Sequence, residues 1–189
     1  MLRLIRPFLA LILLTAPVSA APAPYDLQAD KSIVGFSWFL GAQEIKGTMP
    51  VARAEMIVDV ENVRNTQVSV AVDVAGAVAG FPFATQGMKS QSVLWAERFP
   101  EITFESTEVR PDGAGAKVDG LLTVRGVTRP VTFDAQLYRQ RGTEVGERRL
   151  LSIIVTGSLS RAAFGADGWA DLAGDEVRLT ILARIERAE

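Results

Sequence analysis

Along most of this chain apolar side chains recur at every second residue. That period commits the chain to β-strands, because successive strand residues point to opposite faces. Val34, Phe36, Trp38 and Leu40 alternate with Gly35, Ser37 and Phe39. Met56, Val58 and Val60 alternate with Ile57 and Asp59, and Val68, Val70, Val72 and Val74 with Ser69, Ala71 and Asp73. Ile102 and Phe104, Leu122 and Val124, and the set Val131, Phe133, Ala135 and Leu137 repeat the pattern. Leu151, Ile153, Val155 and Leu159 share one parity, as do Val177, Leu179, Ile181, Ala183 and Ile185. Each run has one apolar face, the mark of a half-buried strand.

These runs amount to about eight strands. Turn signals separate most of them: Asn62 to Asn65, Pro111-Asp112-Gly113, Gly126 ahead of Pro130, and Gly142 to Gly146. Gly126 and Pro130 are expected to bracket a tight turn carried by Val127 and Thr128. Evenly spaced antiparallel strands predict an all-β sandwich or closed barrel. Two segments break the rhythm. Residues 85–98 read as a short helix, with Met88, Ser92 and Trp95 at helical spacing and Pro100 ending it. Residues 161–174 read as a long loop. No fixed-period repeat or low-complexity linker divides the chain, so a single domain is expected.

The first residues carry a different message. Arg3 and Arg6 precede the apolar stretch Phe8 to Ala16, and Val18-Ser19-Ala20 supplies the small residues of a cleavage site. This predicts a secretory signal peptide over residues 1–20, a mature domain over 21–189 and a periplasmic address. The apolar stretch is too short to span a bilayer as a helix. An outer-membrane barrel is disfavoured because the apolar runs are mostly shorter than the about 9–11 residues that a membrane strand needs.

Composition narrows the chemistry. The chain contains neither histidine nor cysteine. That removes disulfides, the commonest general base, and zinc, copper or haem sites of ordinary composition. The chain carries 20 basic and 22 acidic side chains. Loss of Arg3 and Arg6 would leave it mildly acidic, which does not suit nucleic acid. Arg139, Arg141, Arg148 and Arg149 cluster, but Glu144 and Glu147 sit among them, as in a solvated hairpin. Lys89-Ser90 and Lys31-Ser32 are the nearest approach to a nucleophile with its base, and adjacent residues point apart. Asp167, Asp171, Asp175 and Glu176 do not match a calcium-loop spacing. No catalytic residue, metal site or cofactor is therefore expected.

A large apolar face without catalytic groups suits a container. An eight-stranded barrel has room for side chains or for one small ligand. Val34, Phe36, Trp38, Val70, Val72, Phe104, Leu122, Phe133, Leu179 and Ile181 are the expected lining, with Phe81 and Phe83 at an entrance. Periodicity alone serves equally a barrel filled by these side chains.

Particular motifs go further. Gly120-Leu121-Leu122-Thr123-Val124-Arg125-Gly126-Val127-Thr128-Arg129-Pro130-Val131 resembles the central signature of the YceI-like, lipocalin-like, polyisoprenoid-binding proteins. Four other places agree in order: Tyr25-x-Leu27 with Asp30-Lys31-Ser32 and Phe36; Lys89-Ser90 ahead of Phe99-Pro100-Glu101-Ile102-Thr103-Phe104-Glu105-Ser106; Arg161-x-x-Phe164-Gly165; and a closing strand with Val177 and Leu179. The resemblance implies one extended antiparallel barrel, with a tunnel for a polyisoprenoid, an isoprenoid quinone-like chain or another long apolar lipid, held for transport or storage. It leaves room for a homodimer. Phe39, Gly87 and Ser92 depart from polar or histidine positions of the family pattern, which puts a polar or metal-assisted head-group site in doubt. The alternative is a packed barrel acting as a structural or stress-related accessory with a protein partner.

Overall fold

The structure is a computed structural model that describes residues 22–189, so the expected signal peptide lies outside the described residues. The strands are β1 (Ala23–Leu27), β2 (Ile33–Leu40), β3 (Gln43–Met49), β4 (Val51–Val58), β5 (Gln67–Asp73), β6 (Val78–Ala79), β7 (Glu101–Asp112), β8 (Gly115–Val124), β9 (Val127–Arg139), β10 (Leu150–Ser160) and β11 (Glu176–Arg187). One helix, α1 (Pro82–Lys89), follows β6. All pairings are antiparallel, and the sheet closes on itself because β11 pairs with both β10 and β1.

The closed ring is β1-β4-β5-β7-β8-β9-β10-β11, the eight-stranded barrel expected from the sequence. β2 continues the course of β1 along the same edge of β11, so Leu27 faces Ile185 and Ile33 faces Leu182. A 3-10 turn over Ala29–Lys31 separates the two strands, and the Gln28 N–H donates to Arg184 O at 2.8 Å. β3 precedes β4 in the same way across Pro50, which has no N–H for a ladder. β1 is the short alternating run Ala23, Tyr25 and Leu27 that the sequence offered only as part of the family resemblance, and β3 was hidden because it does not alternate clearly. In Gln43–Met49 only Ile45 is buried.

The turn between β8 and β9 is tighter than expected. Val124 pairs with Val127, so Arg125 and Gly126 alone make the connection, at φ 52° and 76°. Positive φ at both positions is the I′ geometry that matches strand twist. Val127, Thr128 and Pro130 already lie in β9, with Pro130 opposite Leu121.

The helix also differs from expectation. It begins at Pro82, whose fixed φ suits the first helical position, and it stops at Lys89. Ser92 and Trp95 lie in irregular turns held by bonds such as Trp95 N–H to Ser90 O. Phe83 is thus helical, and Phe81 caps the helix.

β7 to β11 run for 10 to 13 residues, longer than their apolar runs. Strand length therefore does not argue against a membrane barrel. The outward side chains do: Lys117 pairs with Asp134, and Arg110 with Asp119, on the outside of β7, β8 and β9, where a lipid-facing wall would be apolar. No helix among the described residues is long and apolar enough to cross a membrane.

Buried side chains form two clusters instead of one continuous core. One lies at the end of the barrel covered by α1 and contains Phe36, Val74, Met88, Leu94, Val124 and Phe164. The other packs around the β1–β11 closure and contains Tyr25, Met56, Val58, Leu151 and Ile185. The Tyr25 hydroxyl donates to Arg148 O at 2.6 Å.

Candidate functional site

A cavity of about 920 Å³ runs through the barrel between and beside these clusters. Its wall extends from Asp59, Val63 and Thr66 at one end to Arg161, Trp169 and Leu172 at the other. β11 has 12 residues, so at about 3.3 Å per residue and a tilt of about 40° the barrel is about 30 Å tall. The mean cross-section is then about 30 Å². The space is a tunnel, several times longer than wide.

The strand pleat sets its lining. Phe36 and Trp38, two residues apart on β2, stack with centroids 5.9 Å apart and planes 13° apart. Val70 and Val72 of β5 stand opposite Phe104 and Ile102 of β7. Leu122, Phe133, Leu179, Ile181 and Val34 also face the cavity. Every expected lining residue stands in this wall except Phe81. Phe83 is there too, 67% exposed, where the tunnel reaches the surface. Phe81 is half-buried at the start of α1, with its carbonyl bonded to Thr85, and does not face the tunnel. The alternation had no period by which to orient a residue in a connection.

Glycines seat the large rings. A Cβ on Gly120 would lie 2.5 Å from the Phe104 ring, one on Gly157 2.5 Å from Phe133, and one on Gly47 2.4 Å from Phe36. Each ring thus lies flat over a neighbouring strand, and space is left along the axis.

Only four wall residues carry polar or charged groups other than an indole: Ser32, Asp59, Thr66 and Arg161. Ser32 at the β1–β2 break gives its hydroxyl hydrogen to Gln28 O at 2.8 Å. Asp59 closes one end. Its carboxylate accepts from the Asn65 side chain at 2.8 Å and from the Asn62 and Glu61 N–H groups at 2.9 and 3.0 Å. These bonds, the Asn65 amide first among them, hold its carboxyl below the usual carboxylate range. Arg161 organises the other end. Its guanidinium donates to the carbonyls of Gly174, Ala166, Gly168 and Ala173 at 2.9, 2.5, 2.7 and 2.7 Å. The loop over 161–174 is thereby wrapped around one side chain. Asp175 beside it is held low by the Ser160 hydroxyl and the Ala162 N–H.

Sequence reasoning had Arg161 and Phe164 only as parts of a motif, and did not have Met49, Val93 or Leu94. Phe164 is 2% exposed at the capped end. A buried arginine in a small-residue loop, three residues ahead of Phe-Gly, was the available signal. No group of three or more acidic side chains that could hold a metal ion occurs among the described residues.

Comparison with known proteins agrees with this geometry. The model of the YceI-like domain matches residues 25–185. A UPF0312 protein of Serratia proteamaculans is 28% identical over 181 residues, covering 95% of this chain and 94% of the relative. One from Enterobacter sp. is 29% identical over 141 residues, 74% of this chain and 73% of the relative. Among solved structures, Burkholderia cenocepacia BcnA superposes with a TM-score of 0.75 at 20% identity, covering 84% of this chain and 99% of that one. The Campylobacter jejuni YCEI protein gives 0.65 at 17% identity, covering 79% and 89%.

Proposed function

Because the chain belongs to the YceI-like family, we propose that it is a binding protein that holds one long apolar chain, a polyisoprenoid or similar lipid, inside its barrel. The observation that carries this reading is the wall. Over about 30 Å its side chains are almost wholly apolar, and the two charged ones, Asp59 and Arg161, sit at opposite ends with their bonds turned onto backbone and loop groups. A ligand with polar groups along its length would lose its water there without compensation. A hydrocarbon chain loses nothing and gains burial on all sides.

The volume lies within the ~300–1,000 Å³ common for ligand sites. A barrel filled by its own side chains, the accessory-protein alternative, is hard to reconcile with 920 Å³ of free space. The arrangement offers no activated nucleophile and no acid/base pair inside the tunnel, so the protein acts by holding its ligand for transport or storage, and not by turning it over. Export through residues 1–20 suits a carrier that works in the periplasm. Solvent extraction of the purified protein followed by mass spectrometry tests the reading. A co-purified long-chain lipid at near-stoichiometric level supports it, and protein free of lipid that also takes up none on exposure to a polyprenyl mixture overturns it.

A further inference from the structure

Three large apolar side chains are exposed where the tunnel meets the surface. Phe83 projects from α1 at 67% exposure, and Trp169 and Leu172 from the 161–174 loop at 53% and 59%. All three are also wall residues of the tunnel. Their segments are fixed to the same end of the barrel. The Gly41 N–H donates to Leu172 O at 2.8 Å, and the Gly168 N–H to Ser92 O at 2.9 Å. Trp169 is held at φ 62°, unfavourable for a bulky residue, and its carbonyl accepts from the Leu172 and Ala173 N–H groups at 2.9 and 2.7 Å.

The opposite end is built differently. Its loops are charged and tied together, with Arg148 bonded to Glu61 at 2.8 Å and Arg149 paired with Glu186. The two ends of one tunnel thus present different surfaces to water.

We propose that the rim formed by Phe83, Trp169 and Leu172 inserts into the surface of a lipid bilayer, so that the tunnel opens directly into acyl chains. This rests on the reading that the tunnel holds a lipid. The continuity of rim and wall is the main argument: an apolar chain leaving here passes over side chains that are themselves poor partners for water. An indole with aliphatic neighbours also suits the boundary between head groups and acyl chains. The rim loop carries exposed Asp167 and Asp171 beside Trp169 and Leu172, so insertion depends on apolar contact and not on attraction to anionic lipid, and added salt does not weaken it.

The test uses the protein over residues 21–189 with phosphatidylcholine vesicles. Flotation at low and high salt reads binding, and quenching by brominated phosphatidylcholine reads the depth of Trp169 by comparison with Trp169→Phe. The expected result is salt-independent flotation, Trp169 quenching, and a loss of partition of at least about tenfold for each of Phe83→Ser and Leu172→Ser. Val145→Ser, at the charged end and 91% exposed, leaves flotation unchanged. Circular dichroism checks that the variants fold. Flotation equal in wild type and rim variants, or no flotation of the wild type, overturns the proposal. So does burial of Trp169 on loading with a polyprenyl probe in the absence of vesicles, which would make the rim a lid over the ligand. Probe retention is measured separately without vesicles. Its failure removes the lipid-carrier reading, whereas failure of flotation with retention intact removes only the docking surface.

Discussion

Phe104 and Phe133 meet across β8 with ring centroids 5.4 Å apart and planes inclined at 54°. They come from β7 and β9, which do not pair with each other. The contact is made over Gly120 of the intervening strand, where any Cβ would strike both the Phe104 ring and Glu105 O at 2.5 Å. Phe133 in turn lies over Gly157 of β10. The missing side chains at Gly120 and Gly157 let these rings lie back against the strands and not lean into the tunnel.

Gly157→Ala is therefore expected to push Phe133 towards the axis. The three atoms nearest to the added Cβ all belong to the Phe133 ring, so the ring can yield if there is free space beyond it. The expected outcome is a stability change below about 1 kcal/mol with reduced uptake of a polyprenyl probe. In a filled core the same push would cost about 1–3 kcal/mol. Denaturant midpoints and probe titration separate the two.

Arg161→Leu removes a side chain that satisfies four carbonyls of one loop. Leaving them unpaired is expected to cost roughly 3 kcal/mol or more. Arg161→Lys should recover little, because an ammonium lacks the planar fork that reaches carbonyls in several directions. Thermal midpoints, together with limited proteolysis between residues 161 and 174, read the effect. A cleavage pattern like that of the wild type would show that the loop is held by other contacts.

Acid sensitivity should arise at both ends, since Asp175 beside Arg161 is also held low, and the opposite end tests it. Asp59 has its carboxyl held low by Asn65, Asn62 and Glu61. A depressed folded value contributes stability that is fully present above the unfolded value near about 4 and lost as pH falls through the folded one. Asp59→Asn is expected to be less stable than wild type at pH 7, and the difference should shrink below pH about 4. Thermal melts across that range check this, and a pH-independent difference would remove Asp59 from the account.

Much of this was legible in the residues. Side-chain parity in Val34–Leu40, Val68–Val74 and Val131–Leu137 orients the wall, because the pleat leaves only two faces. Parity could not reveal Gln43–Met49, in which Gly47 is needed to seat Phe36 and supplies no apolar signal. Nor could it extend β7 through Pro111 and Asp112: of the expected turn Pro111-Asp112-Gly113 only Gly113 lies in the loop, which it forms with Ala114 between the paired Asp112 and Gly115. The helix starts at Pro82, three residues ahead of the expected Thr85, because proline is a former at the first helical position. Above all, an alternating apolar face looks the same whether it fills a barrel or lines it. Only three-dimensional spacing, set in part by Gly120 and Gly157, distinguishes these.

The central claim is that the axis of the barrel is open space for a chain. Val72 and Ala135 both face the tunnel, from β5 and β9. Val72→Trp and Ala135→Trp should block it while the barrel still folds. The direct measurement is retention of a fluorescent polyprenyl probe, made alongside the thermal midpoint, for wild type and both variants. The account predicts that wild type retains the probe, that neither tryptophan variant does, and that all three melt within a few degrees of one another. Wild type that never retains the probe, with tryptophan variants destabilised by the about 1–3 kcal/mol of an overpacked core, would contradict it.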